Sequence, residues 1–476
     1  MSRINTNVQS LLATRVLNAN NLKLNTALER ISTGLRINTG KDDPAGLIAS
    51  EALRTSKVAI TAAIDNANRA NNIVSIAEGG LQEVNRLLLE LEDLVDRSAN
   101  EAGLSPDEAE ANQLQIDTIL QSINRIADTT EFTGRKLLNG NFAFTVSGTT
   151  ASDQNISAIQ INAAKIPAGA TRTVTVQVAT ASEFALISAT GTGTGGALDG
   201  AATLQVRGNY GTEVLSFASG TTMTQMATAV NGSTQLTGVS AVVNGTMIQF
   251  TSAEFGSKAL ASVEVLDGTF NANTSEDYGV DGTVIVNGSQ ATVNGLNVSA
   301  RSGGLSVDLV LAENFARMTG GAPTSATFDI TGGGAVFAIA PTVGLVGQES
   351  LGLDAVSTGS LGNGVVGFLA SIGRGQTNDL DSQNFAAAQR VVRKAIDQVS
   401  SLRGRLGAFQ KDVLATTVNS LQVTFENTAA AESAIRDADF AVETSNLTRA
   451  QILVQAATAA LQLANAAPQN VLALIG

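Results

Sequence analysis

Over the first 35 residues, apolar side chains recur at alternating steps of three and four: Ile4, Val8, Leu11, Leu17, Leu24, Leu28, Ile31 and Leu35. Thr14 and Asn21 occupy the same register. The spacing predicts a helix with one seam turned toward another helix, and polar residues in a seam favour one register over others. Thr33-Gly34 reads as a helix stop, and Asp43-Pro44 as an N-cap followed by proline at the first helical position, leaving a joint over about 34–43. A second helix is predicted from Pro44 to about Asn100. Its stripe is Ile60, Ile64, Ala67, Asn71, Val74, Ala77, Leu81, Val84, Leu88, Leu91 and Val95, with a bend expected at Gly79-Gly80. Ser105-Pro106-Asp107-Glu108 carries a capping-box signature. It opens a third helix with an apolar face of Leu114, Ile116, Ile119, Leu120, Ile123 and Ala127, ending near Asp128.

From Phe142 to about Asp379 the period changes to two. Thr171–Val178 and Gly282–Gly288 alternate cleanly, and Asn231-Gly232, Asn244-Gly245, Asn287-Gly288 and Asn294-Gly295 are hairpin signals. Thr221 to Val230 reads as one short helix among the strands. Helical sequence resumes at Phe385 and runs through Ile435 to Leu463, with breaks expected near Gly404 and Gly407 and a stop at Pro468. The fold class is therefore α+β: long antiparallel helical arms from both termini, flanking a mostly-β insert. A seam of Leu and Ile cannot be left in water, so the arms must meet each other or a partner. This is the layout of an assembly protein.

Composition narrows the chemistry. The chain has 476 residues with Cys 0, His 0 and Trp 0, which removes thiolate nucleophiles, imidazole bases and the commonest metal ligands. No catalytic, cofactor-binding or metal residue is assigned. Asp42/Asp43, Glu90/Glu92/Asp93 and Asp437/Asp439 read as helix caps and solvated faces. Gly191–Gly196 lacks the Lys-Ser/Thr of a phosphate loop and reads as a turn. A net charge of -13 argues against nucleic acid as a partner, because counterion release needs a basic stripe. Acidity is concentrated in the insert, where residues 141–380 hold 7 Lys/Arg against 16 Asp/Glu, suiting a solvated surface. The start, Met1–Asn7, has no signal-peptide core, and no run reaches membrane-spanning length. Arg3, Arg15, Lys23, Arg30 and Arg36 make the first arm basic, but a matching arm at the other terminus favours helix packing over a membrane surface.

The ends carry a family resemblance. Ile4–Asn7, Ser32–Asn38 with Lys41–Gly46, and Phe132–Leu138 resemble bacterial flagellin, and so do Ser433–Ala441, Thr448–Leu453 and Pro468–Leu472. Leu204 to about Asp267 is more loosely similar to a β-rich insert repeat of flagellins and hook-associated proteins. The resemblance implies a filament subunit for swimming motility, exported unfolded through the flagellum's own type III apparatus, and not an enzyme. Residues 1–45 with 435–476 would form an inner coiled-coil domain, 46–140 with 380–434 a helical shell, and 141–379 an exposed variable domain. The polymerisation seam would then take Ile4, Val8, Leu11, Leu17, Leu24, Leu28, Ile31 and Leu35 from one arm, and Ile435, Ile452, Leu453, Leu461, Val471 and Leu472 from the other. Implied partners are copies of the chain or sister flagellins, an export chaperone on the C-terminal helices, and hook-associated and cap proteins, with no membrane insertion. The alternatives are a hook-filament junction protein, or a flagellin whose insert binds surfaces or glycans. In relatives detected by the vertebrate Toll-like receptor for flagellin, a basic residue stands where this chain has Glu90. The segment Leu89, Glu90, Leu91 and Leu94 is thus expected to be poorly recognised.

Overall fold

The structure is a computed structural model that describes residues 6–100, 105–148, 155–167, 169–191, 193, 196–272, 274–319, 324–364 and 366–475, with side chains as far as residue 466. Helix α1 (Val8–Thr33) starts at Asn7, whose side chain accepts the Ser10 N–H. It ends at Gly34, whose φ of 72° turns the chain out of the helix. In the joint Ile37 is buried, and the Asp42 carboxylate accepts the N–H groups of Asn38 and Thr39. Asp43 Oδ1 accepts the Gly46 N–H at 2.9 Å, capping α2 (Pro44–Ser98). That helix is continuous through Gly79-Gly80. Gly80 serves close packing, since a Cβ there would lie 2.7 Å from Thr130 Oγ1 and 2.9 Å from Leu138 Cδ1. The buried stripe uses Ala70 and leaves Asn71 outside it. Helix α3 (Pro106–Thr129) has the full Ser105/Glu108 capping box, and its Leu114 is exposed, off the expected apolar face.

The chain divides into two compact units, residues 1–68, 339–342 and 415–476, and residues 69–338 and 343–414. This two-way division falls elsewhere than the sequence boundaries at 45, 140, 379 and 434. In the second unit most of the strands form two antiparallel modules. In one, Arg172–Thr180 lies between Thr283–Val286 and Ser325–Gly333, while Leu305–Leu311 lies between Asn297–Ser302 and Ile156–Ala164. Val174, Val176, Val307, Leu309, Phe315 and Phe328 fill its core. In the other, Phe184–Thr190 pairs with Met247–Phe255 and Ala202–Gly208 with Leu260–Gly268, over a core of Ile187, Leu204, Met226, Phe250 and Val263. Asn287 and Gly288 both take positive φ, 49° and 79°, as a tight hairpin turn requires. Asn244-Gly245 and Asn294-Gly295 also stand at hairpin turns. Asn231-Gly232 does not. It ends helix α4 (Met223–Gly232), where the Thr222/Gln225 capping box and the buried Met223, Met226, Ala227 and Val230 at helical spacing outweigh the dipeptide. Two one-turn helices follow, α5 (Thr234–Thr237) and α6 (Glu313–Ala316).

The segment before Phe385 is bonded to the helices. Val356 N–H donates to the Leu138 carbonyl at 3.0 Å, and Thr358 N–H to Asn124 Oδ1 at 2.8 Å. Gln113 holds the Ile372 carbonyl and the Leu380 N–H, so residues 353–382 belong with the helices. Helix α7 (Phe385–Ala408) passes through Gly404 and Gly407 without a break, because helical backbone tolerates glycine at modest cost. The discontinuity comes after them, as a π-helical stretch Phe409–Ala415, before α8 (Thr416–Arg436). In α7, Gln398 holds both the N–H and the carbonyl of Gly362. Helix α9 (Phe440–Ile475) continues past Pro468, the expected stop. Proline removes one amide donor, but its fixed φ is compatible with helical backbone.

Candidate assembly surface

Within the first unit, α1 and α9 pair antiparallel, partners on α9 falling in number as those on α1 rise. Asn7 Nδ2 donates to the Ala464 carbonyl at 2.7 Å, Ser10 Oγ to Asn465 Oδ1 at 2.7 Å, and Asn20 Nδ2 to the Leu453 carbonyl at 3.3 Å. Arg30 Nη1 meets Glu443 Oε1 at 3.1 Å. The covered stripe of α1 is Ser10, Ala13, Leu17, Asn20, Leu24, Ala27 and Ile31, a step of three or four each time. That of α9 is Glu443, Ala450, Val454, Ala457 and Leu461. Ala27, Ala450 and Ala457 are buried, and their small side chains let the helices approach closely. The seam is mostly small and polar.

The structure splits the sequence-derived seam. Leu17, Leu24, Ile31 and Leu461 lie on the covered stripes. Leu35 bridges Asp437, and the Ile435 carbonyl accepts Arg36 Nε at 3.2 Å, so these two close the end of the pair. Val8 and Leu11 are 65% and 64% exposed, and Leu28, Ile452 and Leu453 are exposed too. They do not belong to the intrachain seam. Ile4 lies outside the described residues, as do the side chains of Val471 and Leu472. Leu12, Val16 and Leu22, which apolar period alone does not assign to the seam, are also exposed. At 3.6 residues per turn, Val8, Leu11, Leu12 and Leu22 fall on the side of α1 opposite Leu17, Leu24 and Ile31. The signal for this second stripe was present as an excess: α1 carries more large aliphatics than one seam can hold.

The α8 side of the same unit is held by charge around a small core. Ile60, Ala63 and Leu421 are buried, Lys57 Nζ meets Glu432 Oε2 at 2.7 Å, and Arg436 Nη1 meets Glu51 Oε1 at 2.8 Å. In the second unit, Leu91 and Leu94 of α2 are buried. Leu89 is exposed. Glu90 accepts from Arg86 Nη1 at 3.2 Å and Gln115 Nε2 at 3.3 Å, so a cation stands one turn from it. Among the described residues there is no cluster of metal-ligating side chains, and no helix is long and apolar enough to cross a membrane.

Residues 4–143 match the family model of the bacterial flagellin N-terminal helical region, and residues 390–475 that of the C-terminal helical region. A B-type flagellin of Pseudomonas aeruginosa is 30% identical over 538 aligned positions, covering 99% of both chains. The chain belongs to the bacterial flagellin family. A flagellin of Salmonella muenchen is 29% identical over 99% of both chains, and flagellin E of Vibrio cholerae is 46% identical over 139 residues, 29% of this chain and 36% of that one. This flagellin is a structural subunit of the flagellar filament, which lies outside the cell and serves motility. The matched segments contain the paired arms described above, so the surface to be explained is the one those arms leave uncovered.

Proposed function

We propose that the α1/α9 pair forms the inner layer of the filament, that α2, α3, α7 and α8 form a shell around it, and that the strand modules project outward. The observation that carries this is the two-sidedness of α1. One stripe is covered by α9, and the other, Val8, Leu11, Leu12 and Leu22, is covered by nothing in the chain among the described residues. Each such side chain gives about 1.5–3 kcal/mol when buried, and neighbouring copies supply the burial. Sister flagellins with the same seam enter the same lattice, and hook-associated and cap proteins with related ends meet its two termini. An export chaperone covers the exposed Val442, Ile452 and Leu463 of α9 before secretion.

Paired variants separate the two faces. Leu11→Asp with Leu22→Asp should abolish filaments while leaving monomer amide protection across α1 and α9 unchanged. Leu17→Asp with Leu24→Asp should lose that protection as well. Normal filaments from the first pair would refute the assignment of the uncovered face.

A further inference from the structure

The strands Ala335–Ala338 and Gln348–Leu351 pair as a hairpin, with Ala335 opposite Leu351 and Ala338 opposite Gln348. The connection between them carries Val343 and Val346, both 94% exposed, with Leu345 also exposed between them. Single exposed aliphatics are ordinary on a folded surface, but two valines within four residues at nearly full exposure are not. The connection is also built. Leu345–Gly347 is a 3-10 turn in which the Gly347 N–H donates to the Gly344 carbonyl at 3.0 Å, and Gly347 itself is buried. The valines are therefore held out by ordered backbone.

Resting on the filament reading, we propose that this tip is a contact between copies of this flagellin, seated apolar side first on a neighbouring subunit. Charge argues for a second copy as the occupant. Subunits of net charge -13 repel wherever their acidic surfaces meet, yet Ile330 to Gln348 contains no charged residue. An uncharged, apolar knob is where two such surfaces can approach without that cost. A knob on one surface received by a different surface of the next copy is a heterologous contact, the kind that propagates into an open helical polymer and not a closed ring.

The chain holds no cysteine, so Val346→Cys gives a single thiol for maleimide labelling. With this variant doped at low ratio into unaltered protein, the introduced thiol should react at least about tenfold more slowly in filaments than in monomer, because a side chain at a packed interface has no room for the reagent. Val343→Asp with Val346→Asp should raise the critical concentration by roughly tenfold per valine, with the monomer's circular dichroism unchanged. Filaments in which the thiol reacts as fast as in monomer, or an unchanged critical concentration for the double Asp variant, would overturn the tip contact alone. An unaltered chain that forms no polymer would overturn the filament reading on which it rests.

Discussion

Two adjacent glycines in α2 should respond to the same substitution with opposite signs. Alanine in a helix interior is favoured over glycine by up to about 1 kcal/mol, chiefly through the lower entropy of the unfolded chain. At Gly79 an added Cβ finds no neighbour within 4 Å among the described residues, so Gly79→Ala should gain about 0.5–1 kcal/mol. At Gly80 the Cβ would sit 2.7 Å from Thr130 Oγ1, 2.9 Å from Leu138 Cδ1 and 3.1 Å from Thr130 Cγ2. Neither neighbour can yield cheaply. Thr130 Oγ1 is tied to the Ile126 carbonyl at 2.8 Å, and Leu138 is fully buried. Overpacking of this kind costs about 1–3 kcal/mol, which exceeds the propensity gain and leaves Gly80→Ala destabilised by about 1–2 kcal/mol. Urea unfolding of the monomer, followed by the helical signal in far-ultraviolet circular dichroism, reads both. The midpoint should rise for Gly79→Ala and fall for Gly80→Ala at similar slopes. Equal shifts in one direction, or stabilisation by Gly80→Ala, would refute the claim that Gly80 exists for close packing.

Further outcomes follow from a carboxylate and a cap in the insert. Burial, the largest single influence on Asp281, pushes its pKa up, but hydrogen bonds from Ser257 Oγ, the Gly295 N–H and the Ser257 N–H, together with the nearby positive charge of Lys258, hold it below the ordinary value. A carboxyl with a depressed folded pKa stabilises above its unfolded pKa of about 3.9 and loses that contribution as pH falls through the folded value. Asp281→Asn should therefore melt lower than the unaltered chain at neutral pH, and the gap should close as pH falls below about 4; a pH-independent gap would show that the charge is irrelevant. Thr222→Ala removes the acceptor of the Gln225 N–H and should cost about 1 kcal/mol, seen as faster amide exchange in the first turn of α4.

The helices were legible in the sequence because three signals coincided on them: apolar period, caps and flanking turns. Asp43-Pro44 and Ser105/Glu108 stand at helix beginnings in the structure, and the short helix read from Thr221 starts one residue on, at the N-cap Thr222. The strand modules were legible from alternation, and the hairpins at Asn244, Asn287 and Asn294 from the need of a tight turn for positive φ. What stayed hidden has no periodic trace. Residues 353–379 read as insert because they are short and irregular, yet Gln113, Asn124 and Gln398 bind their backbone from helices far away in sequence. The π-helical stretch at Phe409–Ala415 escaped for a similar reason. Its Phe409 packs on Phe337 with ring centroids 5.8 Å apart, and Gln410 Nε2 reaches Ser75 Oγ at 2.9 Å, which are tertiary facts that local glycines do not report.

Which stripe of α1 meets α9 was half legible for a different reason. A path by threes and fours through α1 finds apolar residues on either side, so period alone mixes Leu17, Leu24 and Ile31 with Val8 and Leu11. The structure separates them by what α9 covers, and the division has an energetic sense. The covered stripe of α1 has three large aliphatics, Leu17, Leu24 and Ile31, among Ser10, Ala13, Asn20 and Ala27, and it meets Val454 and Leu461 of α9. The uncovered side holds Val8, Leu11, Leu12 and Leu22. Burying these four at about 1.5–3 kcal/mol each gives roughly 6–12 kcal/mol, the same size as the roughly 4–15 kcal/mol that immobilising a subunit is estimated to cost. On the proposed inner-layer packing, the uncovered stripe supplies enough burial to offset the freedom a subunit loses on joining the lattice. On that proposal, removing one side chain from the uncovered stripe should move the balance of polymerisation, whereas removing one from the covered stripe should act first on the monomer.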